Sequence, residues 1–135
     1  MTNDSLSGTW RCQYWYPSNT KPGTEEISGY TGTLLRRSGD HYVYESEPNE
    51  EGSYIFVRMT IDGDLATGTW YENTSPNGEF AGSTYSGAFQ ALVDKSNSKI
   101  EGKWAGIGQE GGKRQIYTGR ILFEHLEQQK TDSNS

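Results

Sequence analysis

From Leu6 to about Leu126 the chain alternates apolar and polar residues with a period of two, in segments separated by clusters of Gly, Pro, Asn, Asp and Ser. Period two marks strands that bury one face, and no stretch shows the 3.6-residue period of an amphipathic helix. Eight such segments stand in order: GTWRCQYWY, GYTGTLLRR, HYVYESE, SYIFVRMTI, LATGTWYEN, STYSGAFQALV, KIEGKWAGIG and RQIYTGRILFEH. Their connectors are short and turn-rich: SGD, PNEEG, DKSNS and QEGGK, with PSNTKPG interrupted by prolines and Asp62-Gly63 starting a hairpin. Short connectors make sequence neighbours into spatial neighbours, which gives an up-and-down meander. An open meander would leave two bare edges, and closing the sheet removes them. The expected fold is therefore all-β: a single closed antiparallel up-and-down barrel of about eight strands over residues 6–126. The flanking residues 1–5 and 127–135 are polar and featureless, and are expected to fray.

Glycine and rings fix what such a barrel holds. Only 31% of the 135 residues are hydrophobic, yet 13% are aromatic and 17 are glycine, so one core must be built largely from rings. Gly and a large apolar residue recur two positions apart, hence on one strand face, at Gly8/Trp10, Gly32/Leu34, Gly68/Trp70, Gly87/Phe89, Gly102/Trp104 and Gly119/Ile121. That face is the interior, and its glycines let a coiled strand bend and leave room for a ring from across the barrel. Trp10 is expected to fill the core. Beyond Trp104, Gly106 and Gly108 leave interior positions without side chains, which suggests a cavity near a mouth or room for the loop NTSPNGEFAG. Cys12, Tyr14, Glu72, Tyr85 and Tyr117 share the interior parity, and a carboxylate buried among rings needs a partner.

The stretch LATGTWYENTSPNGEFAGSTYSGAFQALVD, with KIEGKWAGIG and YTGRILF after it, resembles the C-terminal domain of XRE-type helix-turn-helix regulators of actinobacteria. The matching positions are Ala66 to Trp70, Glu72, Thr74 to Pro76, Gly78, Gly82, Tyr85, Gly87, Gln90, Gly102 to Trp104, Gly106 and Gly108. The resemblance implies a sensor-like domain; the helix-turn-helix part has no counterpart here, so DNA binding is not carried over. The opening Gly-x-Trp also looks like the calycin barrels, the lipocalins and avidins, which is an analogy of fold. In the lipocalin pattern an Arg packs over the first-strand Trp, whereas Arg120 here has the outward parity.

A net charge of -6 argues against binding a nucleic-acid polymer or an anionic membrane. No apolar run is long enough for a membrane-spanning helix, no signal-type start is visible and the lone Cys12 has no internal partner, which together point to the cytoplasm. Catalytic constellations are thin: Cys12 lies mid-strand among rings, no serine sits in a nucleophile elbow, DGD lacks the rest of a calcium loop, and GGK has no helix after it. The expected function is a non-enzymatic small-molecule-binding or sensor barrel, its lumen lined by Tyr14, Trp70, Glu72, Tyr85, Trp104 and Tyr117. A flat ligand would stack on the rings, but Arg58 and Lys103, the cations nearest in sequence for a phosphate, have outward parity. The alternative is a filled-core domain for a protein partner or homodimer. A lower alternative is a haem barrel similar to the nitrobindins with His125 as axial ligand; otherwise no cofactor is expected.

Overall fold

The computed structural model describes residues 6–18, 21–74, 84–96, 98–110 and 113–126. The eight strands are β1 (Gly8–Pro17), β2 (Glu25–Ser38), β3 (His41–Ser46), β4 (Tyr54–Asp62), β5 (Leu65–Asn73), β6 (Thr84–Asp94), β7 (Lys99–Glu110) and β8 (Lys113–His125). Each pairs antiparallel with its sequence neighbour, and β8 returns to β1 to close the barrel. The all-β up-and-down barrel expected from the alternation is what the chain forms. Among the described residues there is no helix, and so none long and apolar enough to cross a membrane. The termini expected to fray and the loop 75–83, including the matching positions Ser75, Pro76, Gly78 and Gly82, lie outside the described residues.

Strand boundaries follow the turns. Asp62 pairs with Leu65, leaving Gly63-Asp64 as a two-residue loop, and Gly63 takes the positive φ of 66° that such hairpins require. β2 begins at Glu25, four residues before the GYTGTLLRR segment, because Glu25 to Ser28 continue the register opposite Pro17 to Tyr14. The interior parity of Gly32 and Leu34 thus runs back to Tyr30 and Ser28.

The interior has two halves. At the end where β1 starts, Trp10, Cys12, Leu34, Tyr44, Val57, Ile100 and Phe123 are all fully buried. The Trp10 indole donates to the Leu6 carbonyl at 2.7 Å, the Tyr44 hydroxyl donates to the Trp10 carbonyl at 2.9 Å, and the His125 imidazole lies flat on Trp10 at 4.6 Å between centroids. Trp10 fills the core as expected, with an imidazole over it; Arg120 points outward and lies over Trp15.

The glycines work differently from the expectation. At Gly68, Gly87 and Gly119 the ring over the glycine comes from the adjacent strand at the paired position, not from across the barrel. A Cβ on Gly87 would stand 2.7 Å from Cζ2 of its partner Trp70, one on Gly119 would stand 2.7 Å from Nε1 of its partner Trp104, and one on Gly68 would stand 2.9 Å from its partner Phe89. In the same places the neighbouring backbone carbonyl comes within 2.0 to 2.1 Å of that position. Strong coiling brings the strands too close for any side chain, and the large neighbour covers the exposed backbone. Gly106 is not an empty interior position either: a Cβ there would meet Trp70 Cζ2 at 2.5 Å. The vacancy that suggested a cavity at Gly106 is therefore occupied by the Trp70 ring.

Candidate functional site

The other half of the interior, toward the end of β1 and β5, is polar and aromatic together. Alternation along β5 puts Trp70 and Glu72 on the inner face, and alternation along β1 puts Tyr14 there, in the strand whose neighbour β2 supplies Tyr30. Tyr14 and Trp70 are roughly parallel, 6.5 Å apart with an interplanar angle of 23°. Trp104 from β7 stands edge-on to both, 5.8 Å from Tyr14 and 5.6 Å from Trp70, at angles of 85° and 89°. Such edge-to-face pairs add about 0.5–1.5 kcal/mol each beyond area burial.

Glu72 is 6% exposed and lies among these rings. The Tyr14 hydroxyl sits 2.7 Å from both of its carboxylate oxygens, and the Tyr30 hydroxyl donates a short hydrogen bond to Oε2. Burial raises the Glu72 carboxyl above its ordinary value of 4.5, opposed by the hydrogen bonds from Tyr30 and Tyr14. Both phenols are pushed far up, by burial first and then by the charge of Glu72, so they remain donors across the physiological range. Among the described residues no cation completes the set. Every Lys and Arg whose side chain is described is exposed. Arg58 lies over Phe56 and is exposed, as is Lys103, so both have the outward placement expected of them and neither reaches the interior as a phosphate anchor.

Two indoles in this half have different fates. Registered pairs across the β1/β8 seam run from Trp10↔His125 to Tyr14↔Ile121, and just past them the Trp104 indole donates to the Trp15 carbonyl at 3.0 Å. The Trp70 indole N–H is buried and has no hydrogen-bond partner among the described residues. A buried unpaired donor costs about 1–3 kcal/mol, so a structure that keeps one in a ring-lined interior has a use for it or tolerates a real loss.

Of the six residues expected to line the lumen, Tyr14, Trp70 and Trp104 are in mutual contact and Tyr14 also holds Glu72. Tyr85 pairs in register with Glu72 and Tyr117 with Gly106, and both are partly buried against the core. Sequence reasoning missed Tyr30, although its place two residues before Gly32 gives it the interior parity. It also missed the carboxylate Glu26, held by the Tyr16 hydroxyl at 3.2 Å and the Ser18 hydroxyl at 2.7 Å at the same end of the barrel. Cys12 is fully buried, and burial pushes its thiol far above the ordinary value, which makes it a poor nucleophile. Among the described residues no group of three or more His, Cys, Asp and Glu is placed to hold a metal ion. The His125 ring is committed to its stack on Trp10, at the far end of the seam from Glu72, and His41 is exposed beside Asp40, so neither histidine faces the aromatic half. No protein-family model matches this chain, and no curated protein is significantly similar to it.

Proposed function

We propose that this protein is a non-enzymatic barrel that binds a small molecule among Tyr14, Trp70, Glu72 and Trp104, with Tyr85 and Tyr117 on the same wall. The observation that carries the proposal is the unpartnered indole N–H of Trp70, two residues along the same strand face from a buried carboxylate. Binding sites commonly combine aromatic walls with a few convergent polar groups, and this half of the interior has that composition. A sensor role in the cytoplasm and a calycin-like ancestry are part of the proposal; the resemblance to regulator domains supports the sensor role, since Trp70, Glu72, Tyr85 and Trp104 are among its matching positions, and the opening Gly-x-Trp supports the calycin likeness.

Native mass spectrometry of the protein purified from its own source tests this, beside tryptophan fluorescence titrated with a metabolite panel. Expected are a small retained mass and saturable quenching, both lost in Trp70→Phe. A bare mass with no response would instead favour a filled-core domain for a protein partner, a reading that draws on the close ring contacts and on the occupation of Gly106 by Trp70.

A further inference from the structure

The charge of the site constrains its ligand further. Glu72 is buried and hydrogen-bonded by two neutral phenols, and among the described side chains no other group bonds it and no Lys or Arg enters the interior to balance it. An ionised carboxylate so placed is costly, and the two phenols offset only part of that cost. Glu26 adds a second carboxylate at the same end. The walls are faces and edges of Tyr14, Trp70 and Trp104, and aromatic faces attract cations. The whole chain, with 18 acidic against 12 basic residues, draws in positive ligands and repels negative ones.

We infer that the ligand is a small organic cation. A protonated amine or amidinium on an apolar or aromatic body would meet the Glu72 carboxylate, and a hydrogen-bond acceptor on the same molecule would take the free Trp70 indole N–H. Same-face neighbours on a strand lie about 7 Å apart, so one compact molecule spans both groups. Anionic ligands, nucleotide phosphates included, would meet two carboxylates and no cation. This inference rests on the binding function proposed above.

Three probes of nearly one shape separate the outcomes: benzylammonium, benzyl alcohol and benzoate, each titrated into the full chain at neutral pH and followed by tryptophan fluorescence. Expected is half-saturation by benzylammonium at a concentration at least about tenfold lower than by benzyl alcohol, with no response to benzoate. In Glu72→Gln that preference should disappear while the response to benzyl alcohol persists; should this variant not fold, the probes are compared on the native chain at about 0.5 M salt, where attraction to an acidic surface is screened and a preference set by the buried Glu72 remains. Benzyl alcohol or benzoate binding as tightly as benzylammonium overturns the cation assignment and leaves the lumen site standing. A preference that survives in Glu72→Gln assigns it to the acidic surface and also overturns the inference. Absence of saturation by all three removes the binding function and the inference together.

Discussion

Glu72 is the residue on which most of this account turns, and its titration gives it a signature. Burial leaves the folded carboxyl holding its proton more tightly than the unfolded chain does. The folded state therefore binds the extra proton, and Glu72 supports the fold fully only below its ordinary value of 4.5. That support falls as pH rises from there through the folded value, by about 1.4 kcal/mol for each pH unit separating the two. Urea unfolding of the native chain and Glu72→Gln at about pH 4 and about pH 7.5 should show the variant gaining relative stability at the higher pH. Parallel profiles would mean that the carboxylate bears no burial cost. Glu72 was legible in the sequence through its parity. Its partner Tyr30 was equally legible, since it stands two residues before Gly32 as Tyr85 stands before Gly87 and Tyr117 before Gly119; that its hydroxyl reaches Glu72 depends on the curvature of the closed sheet, which period two leaves open.

At the scale of the strand, the repeated Gly-x-large pattern proves to be a cross-strand device. Each glycine sits opposite a large residue of the next strand, Trp10↔Gly32, Gly68↔Phe89, Trp70↔Gly87 and Trp104↔Gly119, and the neighbouring chain leaves no space for a methyl group. Gly87→Ala should destabilise the fold by about 1–3 kcal/mol or more, since a Cβ would stand 2.0 Å from the Ala105 carbonyl oxygen. Gly29→Ala, whose nearest contact would be Gln13 Cγ at 3.8 Å, should stay within about 0.5 kcal/mol of the native chain. Equal losses in thermal or urea unfolding would show that strand propensity, not close approach, governs these positions. Alternation and turn residues were enough to find all eight strands. They could not say which ring covers which glycine, because that depends on register and coiling, which period two leaves open.

The whole molecule divides into a packed end and an aromatic, acidic end, joined by a seam in which β8 meets β1 over the positions Trp10 to Tyr14. Closure was legible from strand count and connector length. The division was only half legible, since the missing side chain at Gly106 suggested a vacancy that Trp70 fills. Binding at the aromatic end requires that Trp70, and not the other indoles, report the ligand. Trp10 and Trp104 already donate to the carbonyls of Leu6 and Trp15, and Trp15 lies under Arg120 on the outer surface. The four indole N–H signals of this chain are resolvable in one proton–nitrogen correlation spectrum, assigned by single Trp→Phe variants. Titration with benzylammonium should move the Trp70 signal progressively to saturation, with smaller shifts at Trp104 and none at Trp10. A Trp70 signal that stays fixed while Trp15 moves, or while no signal moves, would contradict a lumen site built around Trp70 and Glu72.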